Sequence, residues 1–255
     1  MNIFQAGVLG VVEGITEYLP VSSTFHLIWT AKLLGIAQTD FQKLFEIVIQ
    51  SGAILSVLVL YYQIIFKDTQ LVKKILVSFI PTAIVGLFLY KIIKNVFLTN
   101  FTLQLIVFIL VGIIFIIFER LKSEKSLVKT LDKINFKEAI IVGLIQSIAV
   151  VPGVSRSGAV ILALMFLGVK RGEAAKYSFL LAVPTLLAAS VLDLVKSGSI
   201  LMSSSQNIPL LITGFFMSFI SALIVVKWLV EYLQKHTLST FGWYRIIAAI
   251  ILFKF

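Results

Sequence analysis

The chain has 255 residues, 59% hydrophobic and only 13% charged, with a net charge of +10. Soluble proteins carry about 25% charged residues, and a mean hydropathy of +1.05 instead specifies a polytopic membrane protein. The absence of cysteine excludes disulfides, thiolate nucleophiles and iron–sulfur or zinc–thiolate sites. Two histidines are too few for a multi-histidine metal site, and the excess cations belong to loops beside anionic lipid headgroups, with no nucleic-acid partner expected.

In chain order, the N-terminal stretch MNIFQAGVLGVVEGITEYLP has no basic flank and carries two glutamates within its apolar run. It reads as part of the mature protein, not as a signal peptide. Residues 4–35 form an apolar stretch interrupted by YLPVSSTFH. Each arm spans half a membrane at a rise of ~1.5 Å per residue, so the stretch predicts a helix–loop–helix hairpin that enters the bilayer and turns back. Broken backbone at that depth requires surrounding protein or a polar cavity. Glu13 and Glu17 share a helix face, where two charges in oil are expensive. They suit a divalent-cation seat or a general base better than a snorkelling interfacial pair. Ser22, Ser23, Thr24 and His26 follow in the break. One hydroxyl is expected to cap the next helix, and the group together suits nucleophilic or acid–base chemistry.

Spanning helices, each needing about 20 apolar residues, are predicted near 44–66, 75–94 and 101–119. Glu46 and Gln50 in the first of these are placed to line a shared cavity. A charged linker, 121–133, follows. Residues 137–168 repeat the interrupted pattern around VVPGVSRSGAV. There the glycines Gly153 and Gly158 release the backbone, and the next helix offers an N-terminus that attracts anions. Arg156 adds a planar fork of donors matched to phosphate oxygens, and Ser155 and Ser157 add hydroxyls. The stretch lacks the Gly-Lys-Ser/Thr ending of a P-loop and the last glycine of a nucleophile elbow. Three more spans are predicted near 174–195, 208–230 and 241–255, the last of them short, with Asp193 at a helix end near headgroups.

A shift of 133 positions aligns the hairpins with seven identities in 26 positions, including Gly10 with Gly143, Ser22 with Ser155 and Gly35 with Gly168. Three crossings between re-entrant hairpins place them on opposite faces. The expected fold is therefore one all-α membrane domain, 1–255, of six transmembrane helices and two re-entrant hairpins, with halves 1–120 and 134–255 forming an inverted repeat. Fifteen Lys and Arg residues on one side against six on the other put the linker in the cytoplasm and both termini outside.

The segments EGITEYLPVSSTFH, PGVSRSGAV, FEIVIQSGAIL, YSFLLAVPTLLAAS and FGWYRII resemble those of the undecaprenyl-diphosphate phosphatase family of the bacitracin-resistance type, along essentially the whole chain. The resemblance implies hydrolysis of undecaprenyl diphosphate to the monophosphate and phosphate in a bacterial plasma membrane. That reaction recycles the carrier lipid for peptidoglycan and raises bacitracin tolerance. It also implies divalent-metal dependence (Mg²⁺ or Ca²⁺), with the family's paired acidic motif falling on Glu13 and Glu17. The family serine and histidine fall on Ser23 and His26, and the P-G-x-S-R-S-G motif on Pro152, Gly153, Ser155, Arg156, Ser157 and Gly158. Two positions depart from the family pattern: Phe25 replaces a usual glycine and Val160 a usual threonine. The expected mechanism has Arg156, Ser155, Ser157 and the helix end holding the diphosphate. Ser23 is the nucleophile with Glu17 or His26 as base, and direct attack by water is the competing route. The polyprenyl diphosphate is the expected partner, its tail lying in the bilayer and the site opening to the outer face. A homodimer is compatible with the sequence. The rival class is an inverted-repeat transporter or flippase for a lipid phosphate or small anion.

Overall fold

A computed structural model describes residues 1–97, 100–197, 204–205 and 207–253. Among the described residues twelve α-helices follow in chain order: α1 (Ile3–Thr16), α2 (Ser23–Leu33), α3 (Asp40–Val48), α4 (Gln50–Lys67), α5 (Thr69–Phe88), the short α6 (Tyr90–Ile92), α7 (Phe101–Leu121), α8 (Phe136–Ser147), α9 (Arg156–Phe166), α10 (Arg171–Ser197), α11 (Asn207–Lys235) and α12 (Ser239–Leu252). Among the described residues there is no strand, only one isolated bridge between Lys129 and Val169.

Among the described residues, five helical segments are long and apolar enough to cross a membrane: α3 with α4 as one unit, α5, α7, α10 and α11. The predicted sixth span, 241–255, appears as α12, whose 14 residues fall short of that length; residues 254–255 lie outside the described part. Long apolar side chains project outward from these helices, among them Leu110, Ile114 and Ile117 on α7 and Ile212, Ile220 and Ile224 on α11. Such a surface is stable only against lipid.

Both interrupted stretches are helix–break–helix units, and they share detail beyond the seven identities. Each begins with an asparagine capping box: Asn2 with Gln5 in α1, and Asn135 with Glu138 in α8. The second arms, α2 and α9, are 11 residues each and start 133 positions apart. The two non-glycine residues with positive φ among the described residues, Ser22 (67°) and Ser155 (73°), precede those arms at the same offset. Left-handed backbone costs a non-glycine residue on the order of 1–3 kcal/mol and persists where surrounding structure holds it.

Glycine lets the first arms approach long helices. A Cβ on Gly10 would collide with the main chain of Gly214 in α11, and one on Gly143 with the Ser78 carbonyl and, at 3.0 Å, Pro81 in α5. At the crossing of α7 and α12, Gly112 and Gly242 each face the other's carbonyl, at 2.9 and 2.7 Å from the ideal Cβ. On the linker side, Arg171 forms a bidentate pair with Glu119 (2.6 and 3.2 Å) and reaches Glu124 at 2.8 Å. Lys129 meets Glu138 at 2.5 Å. These contacts tie the linker to the ends of α7, α8 and α10.

Candidate active site

The breaks meet at the centre of the bundle. Ser22 Oγ accepts from the Gly153 amide at 3.2 Å, and Ser157 Oγ donates to the Leu19 carbonyl at 2.9 Å. Ser22 occupies the N-cap position of α2 without capping it. The expected capping role fails there because its hydroxyl is engaged by the opposite break. Ser155 does cap α9, accepting from the Gly158 amide at 3.2 Å, and lies 3.0 Å from Ser157 Oγ. Gly158 is small for a packing reason: a Cβ there would stand 2.6 Å from Phe115 and 3.3 Å from Pro20.

Ser23 and Arg156 are the first residues of α2 and α9, so the same backbone device presents both. Ser23 Oγ donates to Glu17 Oε2 at 2.5 Å, and Arg156 Nη2 pairs with Glu17 Oε1 at 3.1 Å. Arg156 Nη1 donates to the Ser178 carbonyl at 2.7 Å, while its Nε is buried without a partner. These groups face a cavity of about 160 Å³ lined by Glu17, Ser22, Ser23, Thr24, Ser155 and Arg156, with Gln50 from α4. Its apolar wall is Ala149, Val151, Pro152 and Leu186. Two helix N-termini, a guanidinium and four hydroxyls around a small space are donors of the kind that suit phosphate oxygens.

Residues 6–251 match the family described as Bacitracin resistance protein BacA. The chain belongs to that family. Curated relatives called undecaprenyl-diphosphatase include one from Aquifex aeolicus (strain VF5), 47% identical over 98% of this chain and 97% of the relative. Others come from Sulfurihydrogenibium sp. (strain YO3AOP1), 45% identical over 98% of each chain, and Flavobacterium johnsoniae, 45% identical over 99% of this chain and 95% of the relative.

Against the expected site, Glu17, Ser22, Ser23, Thr24, Ser155 and Arg156 line the cavity, whereas Gly153, Ser157 and Gly158 do not. Glu13 is fully buried one turn before Glu17, and neither of its carboxylate oxygens has a hydrogen-bond partner; Glu17 and Glu46 are the neighbouring carboxylates. Glu46 is held by Gln42 (2.9 Å) and Gln38 (3.2 Å) and does not line the cavity, so of the expected pair only Gln50 does. Asp193 lies one turn from the C-terminal end of α10, where it is buried and accepts from Tyr90 Oη at 2.7 Å.

His26 does not reach the cavity. Its Nδ1 lies 2.8 Å from the Ser22 carbonyl, which can only accept, so Nδ1 carries the proton; Nε2 meets Tyr244 Oη at 2.7 Å. Tyr244 stacks on the ring at 11°. Phe25 is buried in an aromatic stack, 4.1 Å from Phe108 between centroids, and Val160 lies in the core; neither departure alters the cavity wall.

Sequence reasoning missed Arg245. Counted with the cytoplasmic cations, it is instead fully buried, so that side of the tally loses one; Lys254 on the other side lies outside the described residues. The signal was available, since Arg245 is a lone charge within the apolar run FGWYRIIAAIIL, the same anomaly that singled out Arg156.

Proposed function

We propose that this chain is an undecaprenyl-diphosphatase, hydrolysing undecaprenyl diphosphate to the monophosphate and inorganic phosphate. The observation that carries the reading is the Ser23–Glu17–Arg156 constellation: a hydroxyl 2.5 Å from a carboxylate that also pairs with a phosphate-binding guanidinium. An anion carrier gains nothing from a carboxylate beside its anion, and that counts against the transporter reading.

In this mechanism the terminal phosphoryl group enters between the N-termini of α2 and α9. Arg156 exchanges its contact with Glu17 for phosphate oxygens and adds its unpartnered Nε, and Ser155 and Thr24 complete the cradle. Glu17, freed on one oxygen, takes the proton of Ser23 as Oγ attacks the terminal phosphorus. The bond to the bridging oxygen breaks and undecaprenyl phosphate leaves. Glu17 hands that proton to the departing undecaprenyl phosphate, then accepts a proton from the water that attacks the phosphoserine and returns it to Ser23 Oγ as phosphate leaves. Rate comes from positioning and charge neutralisation. His26 fixes the first turn of α2 through the Ser22 carbonyl and does not act as the base.

The carboxylates of Glu13 and Glu17 fit a divalent cation such as Mg²⁺ or Ca²⁺: they are hard oxygen donors, and both Glu13 oxygens are buried without a partner. No group of three His, Cys, Asp or Glu side chains gathers among the described residues, so water and phosphate oxygens would complete the set. When bound, the cation supplies charge neutralisation to the diphosphate.

The topology belongs to the same reading: six crossings with α12 as a short sixth, two re-entrant hairpins, an inverted repeat, both termini outside a bacterial plasma membrane, and a site opening to the outer leaflet. The 133-residue offset of caps, arms and strained serines supports it, as does the cation bias. The polyprenyl tail leaves past the apolar wall at Val151 and Leu186.

The test is phosphate release by purified protein from a polyprenyl diphosphate in detergent, with and without EDTA. Release that EDTA abolishes and Mg²⁺ or Ca²⁺ restores is expected. No release with any divalent cation refutes the enzyme. Cysteines at Ser126 and Ser205 test the topology, since they should label from opposite faces.

A further inference from the structure

Arg245 heads the fully buried side chains by volume among the described residues, and all its hydrogen bonds go to main-chain carbonyls. Nε donates to Phe108 at 3.1 Å, Nη1 to Pro20 at 2.9 Å, and Nη2 to Gly153 and, at 3.3 Å, Val154. The guanidinium also lies 4.5 Å above the Phe108 ring. Among the described residues no carboxylate pairs with it. A buried cation without a counter-ion is costly, so its placement calls for a cause.

The cause lies in where those carbonyls sit. Pro20 belongs to the first break and Gly153 and Val154 to the second. Each precedes, by one or two residues, the positive-φ serine that launches a second arm. Chain breaks leave carbonyls without helical partners, and one rigid fork of five donors satisfies those of both breaks at once. Its neighbour Tyr244 holds His26 at the same time. Close approach of α12 to α7 through Gly112 and Gly242 brings both side chains inward.

We infer that Arg245 is a positioning residue that sets the spacing and orientation of the two breaks, and thereby of Ser23 relative to Arg156. This rests on the phosphatase reading only for its kinetic consequence. A lysine at 245 keeps the charge but cannot bridge both loops, and a glutamine loses both charge and fork.

The test uses the full chain in detergent. Misplacement by about 1 Å can lower turnover on the order of 100-fold. In Arg245→Gln, kcat is therefore expected to fall roughly 30- to 100-fold with KM changed less than about threefold. Arg245→Lys should recover thermal stability but remain roughly tenfold down in kcat. Recovery of full kcat by lysine, or a fall in kcat that only tracks the folded fraction, overturns the proposal. A second measurement needs no turnover. Nitroxides on Ile15→Cys and Ile148→Cys, which are 38% and 57% exposed in a chain with no other cysteine, report the distance between breaks by pulsed electron resonance. A narrow distribution that broadens or shifts in Arg245→Lys supports the assignment, and an unchanged one refutes it. If the native protein releases no phosphate, the phosphatase reading fails alone and the distance measurement still decides the role of Arg245.

Discussion

Glu17→Gln preserves shape while removing the base. Glu17 accepts two hydrogen bonds, from Ser23 Oγ at 2.5 Å and Arg156 Nη2 at 3.1 Å. An amide has one accepting oxygen, and the guanidinium, which can only donate, claims it. The NH₂ then faces Ser23, whose hydroxyl must turn to accept, leaving its proton without a base. General-base catalysis contributes typically ~10²–10⁴-fold, about 2.7–5.5 kcal/mol at ~1.36 kcal/mol per decade, so kcat should fall by that range. Because Glu17 also belongs to the proposed cation seat, KM is read at saturating Mg²⁺ or Ca²⁺, where it should stay level or drop as a negative charge beside the diphosphate is gone. Arg156 keeps hydrogen bonds to the Ser178 carbonyl and the new amide oxygen but loses its counter-ion, so the thermal midpoint should fall by up to the ~3–5 kcal/mol that stranding a buried charge costs, and kcat is compared per folded molecule. Glu17→Asp withdraws the carboxylate by ~1.5 Å, one C–C bond, and should give an intermediate loss. Steady-state phosphate release across the three proteins is the assay. A glutamine variant that is folded and retains more than about a tenth of native kcat would refute Glu17 as base.

Glu13→Gln should raise the Mg²⁺ or Ca²⁺ concentration needed for half-maximal phosphate release while leaving the Ser23–Glu17 contact in place; an unchanged cation titration removes Glu13 from the metal seat. Phe25→Gly restores the residue usual in the family and empties the stack on Phe108. It should cost about 3–5 kcal/mol of stability by analogy with buried Phe→Ala, with kcat per folded molecule unchanged because Phe25 does not line the cavity. Gly143→Ala drives a methyl into the Ser78 carbonyl and should destabilise by about 1–3 kcal/mol. Gly86→Ala has open space and should be neutral or better; thermal midpoints in detergent compare the two.

Much of this site was legible because its residues break a rule that the rest of the chain keeps. Charges, serines and glycines inside apolar runs marked both breaks, and the shared glycines and serine exposed their kinship. The long spans announced themselves by apolar length. What escaped depends on partners without sequence code. Arg245 binds only carbonyls, so no carboxylate flagged it. His26 is held by Tyr244, 218 positions away, and Ser22 turns from its own helix to the other break. Glu46 and Gln50 part company because Gln38 and Gln42 hold the Glu46 carboxylate, contacts that an apolar pattern hides.

The central claim is that two breaks from opposite halves build one phosphatase centre. Phosphate release from a polyprenyl diphosphate by the native chain, Ser23→Ala and Arg156→Gln, assayed together at saturating Mg²⁺ or Ca²⁺, tests it most directly. The native protein should turn over, and each variant, one from each break, should be folded yet roughly 100-fold or more slower. Undiminished release by either folded variant would contradict a centre shared between the breaks.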